Sequence, residues 1–146
     1  DVACVANPVS GWGHRSFGAL LDNLHLAAGI GPGQVAAKLL VSRDLVIGKS
    51  MTLRRSALDA MGGFGAFGDY AAEDFAIGQA VRWSGQRTVL ARHPVWNVAV
   101  DRTVRSFFDR YRRWAVLQRT GVTLPMSLAH GLVNPWPLTV IAAVLT

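Results

Sequence analysis

The chain has 146 residues, of which 51% are hydrophobic, and its formal net charge of +6 comes almost wholly from arginine. Its mean hydropathy of +0.26 is high for a soluble domain. This balance indicates an anionic partner, namely a membrane surface, a nucleotide phosphate or a nucleic acid. The single cysteine, Cys4, excludes an internal disulfide, and no Cys/His group in the sequence has the spacing of a zinc site.

The first 30 residues predict a strand followed by an amphipathic helix. Residues 2–9 have the composition of a short buried strand. Apolar residues then recur at helical spacing over residues 16–30. We expect this helix to end at a group of helix-breaking residues, Gly29, Gly31 and Pro32.

The middle of the chain predicts a strand, a short helix and a loop. Residues 45–53 have the composition of the strand. Ser56 and Asp59 have the spacing of a capping box, which predicts a short helix as far as Met61. The glycine-rich residues 62–68 should end that helix and form the loop.

The following residues continue the alternation of helices and strands. Residues 72–83 predict a helix closed by Ser84-Gly85, and residues 88–100 predict a strand interrupted at Pro94. Apolar residues form one helical stripe again over residues 104–118, with arginines on its flanks. The alternation of both element types predicts an α/β layer architecture.

Both ends of the sequence lie inside patterned stretches, so we expect a piece of a longer protein. Asp1 opens a strand-like run, and the sequence stops within the apolar residues 138–145. Residues 126–146 carry no Lys, Arg, Asp or Glu, and Pro135-Trp136-Pro137 precedes the apolar run. This pattern favours an interfacial, re-entrant or transmembrane segment over a buried core helix.

Glu73 and Asp74 are the first candidates for chemistry, because they stand at the start of a predicted helix after a glycine-rich loop. One interpretation is purely structural, since free N–H groups and the helix dipole stabilise acidic residues in a first turn. Asp74, however, shares a helical face with Ile77 and Val81, so it should point toward packed surroundings. A carboxylate in such a place can act as a general base toward an attacking hydroxyl.

The run Arg110-Tyr111-Arg112-Arg113-Trp114 is the second candidate. Arg110 and Arg113 lie one helical turn apart and can converge on one anion, because the planar guanidinium group makes two hydrogen bonds with phosphate. A solvated basic helix face near anionic lipid is the alternative. A non-catalytic module that binds a membrane surface or a nucleic acid would also use such arginines, but it would not explain the placement of Glu73-Asp74.

Together the motifs resemble the inverting, membrane-bound glycosyltransferases of family two type, and within them the ceramide glucosyltransferase branch. The resemblance covers roughly residues 1–136. It rests on the following groups in this order: Gly48-Lys49-Ser50-Met51, Arg54, Gly62-Gly63, Tyr70-Ala71-Ala72-Glu73-Asp74 and the Arg-X-X-Arg-Trp motif that ends at Trp114.

The resemblance implies a fold and an activity. Residues 1–120 would be the C-terminal part of a GT-A domain, and residues 121–146 an interfacial segment or the start of a transmembrane one. The full enzyme would transfer a hexose, glucose being the first candidate, from a UDP-sugar to a lipid hydroxyl such as that of ceramide, with inversion. Another acceptor, such as a hopanoid, stays open. The enzyme would work at a membrane, on the cytoplasmic face, without a nucleic-acid partner.

The resemblance also assigns roles to single residues. Asp74 matches the general base of the family, with Glu73 beside it. Arg110, Arg113 and Trp114 match the motif that holds the donor diphosphate and shapes the acceptor site. Lys49 could help to neutralise the diphosphate, although a solvated strand lysine is the simpler interpretation.

Two further expectations concern the surroundings of these residues. Trp12 and His14, which share a glycine-rich loop, are candidates to line an acceptor pocket. Members of the family bind a divalent metal, Mg²⁺ or Mn²⁺, through an Asp-X-Asp motif, which occurs nowhere in these 146 residues. Since residues 1–5 are similar to the stretch that follows that motif, we expect the metal ligands to lie outside this chain and this piece alone to be inactive.

Overall fold

The computed structural model describes residues 1–41 and 45–121, which fall into two compact units. The first unit contains residues 1–10, 30–41 and 45–97, and the second contains residues 11–29 and 98–121. Apart from Gly121, the expected membrane segment at residues 121–146 lies outside the described residues. Within the described part, no helix is both long and apolar enough to cross a membrane.

The structure is mixed α/β, which is consistent with a GT-A-like glycosyltransferase domain. Its elements in chain order are β1 (Val2–Ala6), β2 (Val9–Trp12), α1 (Phe17–Leu24), a π-helical turn (His25–Ile30), α2 (Gly31–Val41), β3 (Met51–Leu53), α3 (Arg55–Ala60), a 3-10 helix (Phe64–Phe67), α4 (Glu73–Trp83), β4 (Arg87–Leu90), β5 (Val95–Val98) and α5 (Val104–Gly121).

A three-stranded sheet with the order β3-β1-β4 forms the centre of the first unit. Strand β1 is antiparallel to β3 and parallel to β4. Helix α4 covers this sheet through Ile77 and Val81, which are buried at 0% and 1% exposure. These two residues lie one turn apart, as the amphipathic pattern requires, and they pack against Cys4 of β1 and against α3.

In the second unit, helix α1 packs against helix α5. Ser16 caps α1, since its hydroxyl accepts the N–H of Ala19 at 3.3 Å. The same hydroxyl also accepts the Arg102 N–H at 2.9 Å and donates to the Arg102 carbonyl at 2.7 Å. A Cβ atom at Gly18 would overlap the backbone of Arg102 and Thr103, so only glycine fits this close approach.

Several predictions of secondary structure are confirmed. Helix α4 begins one residue later than expected and is closed by Ser84, with Gly85 in the left-handed region at φ +72°. The strand predicted over residues 88–100 is interrupted as expected, and its two halves are β4 and β5. The last predicted helix is α5, which extends three residues further.

The predicted helix over residues 16–30 is wrong at its end. The chain continues through the π-helical turn into α2 and stays helical as far as Val41. Pro32 is the second residue of α2. A proline in the first turn of a helix loses no intrahelical hydrogen bond, so the expected stop signal is compatible with a new helical start.

Three other predictions in the first half of the chain are wrong in detail. The strand predicted over residues 2–9 is divided, because β1 ends at Ala6 and Val9 opens β2. The strand predicted over residues 45–53 begins only at Met51, since a turn precedes it. The capping box does not form: Arg54 is the N-cap of α3 without a side-chain bond, and Asp59 pairs instead with Arg55 at 3.1 Å.

The glycine-rich loop is partly ordered as a helix. Gly62 and Gly63 end α3 with positive φ angles of +92° and +72°, which favour glycine. The 3-10 helix follows directly and buries Phe67 against the core beneath α4. The buried Phe67 therefore anchors this loop to the core shortly before the chain reaches Glu73.

Candidate active site

The Asp74 carboxylate is held by two backbone N–H groups of the first unit. Helix α4 has Ala72 at its N-cap, where no side-chain bond forms, so the first turn needs another acceptor. Asp74 Oδ1 accepts the N–H of Phe75 at 2.8 Å, and Oδ2 accepts the N–H of Gly48 at 2.8 Å. The side chain is half-buried on the face that carries Ile77, as the sequence predicts.

Glu73 lies in the same first turn but is exposed to solvent. The two carboxylates therefore differ in their surroundings, although they are adjacent in sequence. The structure places Asp74 against a neighbouring turn and leaves Glu73 at the surface. Of the two, Asp74 has the fixed geometry that a general base needs.

The turn that contacts Asp74 consists of residues 48–50, the start of the Gly48-Lys49-Ser50-Met51 motif. Lys49 Nζ donates to Asn97 Oδ1 at 2.6 Å, and Ser50 Oγ donates to Asn7 Oδ1 at 3.0 Å. Lys49 is therefore solvent-exposed, as the simpler interpretation expects, but it lies in the turn before β3 rather than in a strand. A Cβ atom at residue 48 would lie 3.4 Å from Asp74 Oδ2, which is ordinary van der Waals contact, so this approach does not itself require glycine.

These polar groups lie at one end of the strands of the three-stranded sheet. Asn7 follows β1, and His93 follows β4, which is parallel to β1, so both lie beyond carboxyl ends of strands. Asn7 Nδ2 donates to the His93 carbonyl at 3.2 Å. The turn at residues 48–50 precedes the antiparallel strand β3 and reaches the same end. Open α/β sheets bind ligands at the carboxyl ends of their parallel strands.

In the second unit, Arg110 of α5 forms an ion pair with Asp22 of α1. Asp22 is only 2% exposed, and the Arg110 side chain is 20% exposed. The guanidinium carbon of Arg110 lies 5.6 Å from the ring centroid of Trp114, in a cation–π arrangement. The structure thus joins two residues of the Arg-X-X-Arg-Trp motif to each other and to a buried carboxylate that the sequence did not single out.

Aromatic residues surround this group. The His25 ring lies 5.7 Å from that of Trp114 and 5.2 Å from that of Tyr111, the latter edge-on. Phe107 is buried and stacks on Tyr111 at 6.0 Å. Of the apolar stripe that the periodicity predicts on α5, Phe107, Tyr111 and Trp114 pack within this unit, whereas Val104, Phe108 and Ala115 are exposed.

A cavity of about 290 Å³ lies beside the ion pair in the second unit. Six residues line it: Asp22, Arg102, Ser106, Asp109, Arg110 and Arg113. Arg102 and Arg113 are exposed, whereas Arg110 is largely covered. Arg110 and Arg113 therefore line the same cavity, as their spacing predicts. Of these two residues, Arg113 is exposed and Arg110 is largely covered.

Trp12 and His14 belong to the second unit as well, and both side chains are exposed, that of Trp12 by 63%. The Trp12 carbonyl accepts the N–H of Ala99 at 3.1 Å. Their role in an acceptor pocket stays a prediction. The sequence-based candidates are thus divided, with Glu73, Asp74 and Lys49 in the first unit and the other five in the second.

Sequence reasoning missed the residues that hold the candidates in place. Asp22 had a detectable signal, since it is a carboxylate among apolar residues of an amphipathic helix and a buried carboxylate requires a cationic partner. Arg102 and the Gly48 N–H had none, because both act through approaches between distant parts of the sequence. Within the described residues, no three side chains of His, Cys, Asp or Glu converge as they would to hold a metal ion.

Comparison with known proteins identifies the family. The model of glycosyl transferase family 21 matches residues 1–146. Ceramide glucosyltransferase 1 of Caenorhabditis elegans is 38% identical over 71 residues, which are 49% of this chain and 15% of that protein. Ceramide glucosyltransferase 3 of the same organism is 35% identical over 71 residues, which are 49% of this chain and 16% of that protein.

The alignment therefore spans less than a fifth of either relative. No solved structure matches the chain. The resemblance to ceramide glucosyltransferases that the motifs predict is confirmed by the family and by both relatives. Since the family model covers every residue, this chain belongs to glycosyl transferase family 21.

Proposed function

We propose that this chain is the C-terminal part of the catalytic domain of an inverting glycosyltransferase that acts on a lipid at a membrane, on the cytoplasmic face. The donor is a UDP-hexose, with UDP-glucose as the first candidate. The acceptor is a lipid hydroxyl, with ceramide as the first candidate and a hopanoid as the next. The family and the names of both relatives support a glycosyltransferase.

The observation that carries the proposal is the setting of Asp74. Each of its carboxylate oxygens accepts one backbone N–H at 2.8 Å. An ionised carboxylate has about four acceptor positions, so each oxygen can still accept one more hydrogen bond. A half-buried carboxylate that is fixed in this way can take the proton of an acceptor hydroxyl.

In the proposed reaction, the hydroxyl proton moves to Asp74 while the hydroxyl oxygen forms a bond with the anomeric carbon. The bond from that carbon to the phosphate oxygen breaks at the same time, and UDP leaves with the electron pair. Because attack and departure occur on opposite faces of the sugar, the anomeric configuration inverts. The protonated Asp74 then returns its proton to solvent.

Arginine in the second unit is suited to the departing diphosphate. Arg113 presents an exposed guanidinium to the cavity, and Arg110 lines the same wall. Fixed cationic donors stabilise charge that develops on a leaving group, since they need no reorganisation at the moment of reaction. Trp114 holds Arg110 from the side and supports this arrangement.

A divalent metal, Mg²⁺ or Mn²⁺, belongs to the proposal as a partner of the donor diphosphate. The described residues do not fit such an ion, because they offer no cluster of three ligands. We assign the metal to an Asp-X-Asp motif outside this chain. We propose that this piece alone does not catalyse transfer.

The test is an assay of UDP release by membranes that contain the full-length enzyme, with UDP-glucose and ceramide. Asp74→Asn should lower acceptor-dependent release by about 10²- to 10⁴-fold, which is the usual contribution of a general base. Asp59→Asn is the matched control, because Asp59 is an exposed helical carboxylate paired with Arg55. Glu73→Gln should have a much smaller effect than Asp74→Asn, since Glu73 is exposed.

Each outcome decides a separate part of the proposal. Full activity of Asp74→Asn would show that Asp74 is not the base. A wild-type enzyme that is silent on ceramide but active on a hopanoid would replace the acceptor and keep the mechanism. An α-configured product from an α-configured donor would exclude inversion. Silence with every lipid and UDP-sugar, together with salt-sensitive binding of single-stranded nucleic acid, would favour the non-catalytic basic module instead.

A further inference from the structure

Asp22 is a buried charge that no step of the proposed mechanism uses. It lies on α1 with 2% exposure, and its partner is Arg110 of α5. Removing a carboxylate from water is unfavourable by several kcal/mol unless a cation and hydrogen bonds compensate it. A buried charge at this position therefore calls for an explanation beyond packing.

The surroundings of Arg110 show what the pair achieves. Its guanidinium is bounded by the Asp22 carboxylate and by the Trp114 ring at 5.6 Å. Trp114 is itself in contact with the buried His25, at 5.7 Å between ring centroids. A planar guanidinium with five N–H donors is directional, so these two contacts fix where its remaining donors point.

The ion pair forms part of the wall of the 290 Å³ cavity. This volume is close to the lower limit of about 300 Å³ for small-molecule pockets. Asp22 compensates the charge of Arg110, and Asp109 lies 4.0 Å from Arg105 on its own helix. Among the described residues, the exposed guanidinium groups of Arg102 and Arg113 therefore supply the positive charge of the cavity that has no paired carboxylate.

We propose that Asp22 is a positioning residue for donor binding, which rests on the proposed transfer from a UDP-sugar. Asp22 acts through Arg110: it holds the guanidinium at the cavity wall in the orientation that meets the diphosphate. Arg110 then contributes oriented hydrogen bonds, whereas Arg113 and Arg102 contribute net charge. Arg102 lies outside the Arg-X-X-Arg-Trp motif and becomes a third cationic residue of this pocket.

The test measures the dissociation constant of UDP for the purified full-length enzyme by calorimetric titration. Asp22→Asn keeps the shape of the side chain but removes the charge that orients Arg110. UDP should bind about 10- to 100-fold more weakly, since a small misplacement of a positioning group has effects of this size. Asp59→Asn, which breaks an exposed ion pair in the first unit, should bind UDP like the wild type.

A double-mutant cycle shows whether Asp22 acts through Arg110. Arg110→Gln should weaken UDP binding by a similar factor, and the double variant Asp22→Asn/Arg110→Gln should be no weaker than Arg110→Gln alone. A further tenfold loss in the double variant would overturn the proposal. So would an unchanged dissociation constant in Asp22→Asn with only a lower melting temperature, because that is the result of a purely structural ion pair.

If Asp22→Asn does not fold, Asp22→Glu replaces it in the test. The glutamate keeps the ion pair but displaces the guanidinium by one methylene group. We expect UDP binding to weaken about tenfold, and an unchanged dissociation constant would overturn the proposal. A wild-type enzyme that fails to bind UDP would refute the donor assignment itself, whereas equal binding by wild type and Asp22→Asn would refute only the positioning role.

Discussion

The candidate residues of the two units are held in place by different kinds of contact. In the first unit, Asp74 is fixed by the backbone N–H groups of Gly48 and Phe75. In the second, Arg110 is fixed by the side chains of Asp22 and Trp114. A backbone donor persists whatever side chain its residue carries, but a side-chain partner is lost through one substitution. We therefore expect the position of Arg110 to be more sensitive than that of Asp74 to the substitution of a single supporting residue.

The place of each residue in its helix explains why Asp74 has backbone partners and Arg110 has side-chain partners. A carboxylate in the first turn of a helix is stabilised by free N–H groups and by the helix dipole, so Asp74 needs no countercharge. Arg110 lies in the interior of α5, where the backbone carbonyls are hydrogen-bonded within the helix, and its countercharge comes from the Asp22 side chain. The consequence is electrostatic, because the N–H donors around Asp74 carry no net charge, whereas Arg110 has the opposite charge of Asp22 beside it.

The largest expected effect on stability comes from Ile77→Ala, which tests how far Asp74 depends on the core. Ile77 is fully buried, and truncation of such a side chain typically lowers the free energy of unfolding by about 2–5 kcal/mol. Because backbone donors hold Asp74, kcat per folded molecule should stay unchanged. Thermal unfolding of the solubilised full-length enzyme and kcat at low temperature measure the two quantities.

Leu39→Ala is the control for Ile77→Ala. Leu39 is 76% exposed on α2, so its truncation should change the free energy of unfolding by no more than about 0.5 kcal/mol. A large fall in kcat for Ile77→Ala, measured on folded protein, would contradict the comparison. It would mean that core packing as well as the backbone sets the position of Asp74.

A smaller effect is expected at Gly18, where α1 approaches the Arg102-Thr103 backbone. Gly18→Ala forces these segments apart, which should lower the free energy of unfolding by about 1–3 kcal/mol. Because Arg102 lines the cavity, UDP should also bind more weakly. Gly33→Ala is the matched helical control: nothing lies within 4 Å of the added atom, and alanine should stabilise α2 by about 0.5–1 kcal/mol. Equal effects of the two substitutions would disprove the close approach.

Elements with their own local signals could be predicted from the sequence. Helix α4 has acidic residues in its first turn and a Ser-Gly pair after its last, and both of its ends are found within one residue. Strands β4 and β5 are separated at the proline that the sequence marks. In these places propensity, periodicity and turn chemistry favour the same structure.

Features that depend on tertiary contacts could not be predicted. The helical continuation into α2 contradicts the local breakers, and the turn at residues 48–50 interrupts a stretch of strand-like composition. The candidate site follows the same rule. Asp74 and the arginines stand out by residue type and spacing, whereas Asp22 and the Gly48 N–H become partners only when distant segments meet.

The smallest expected effect concerns Cys4, whose thiol can report opening of the first unit alone. Burial raises the pKa of Cys4 above its ordinary value of 9.0, and a hydrogen bond with the Thr88 side chain lowers it to a lesser extent. The thiol is therefore protonated at neutral pH, and alkylation of the native protein should be slow, because the thiolate is the nucleophile. Since the folded pKa is the higher one, this group stabilises the fold below about pH 9, and the contribution is lost as the pH rises through the folded pKa.

The rate of Cys4 alkylation, measured by mass spectrometry of its peptide, compares the two units directly. Ile77→Ala weakens the core cluster that lies under α4 in the first unit, so it should raise the rate at pH 7. Gly18→Ala acts in the second unit and should leave the rate unchanged. If both substitutions raise it equally, the units open together. The contrast between backbone and side-chain support would then describe local contacts within one cooperative domain rather than two separately stable parts.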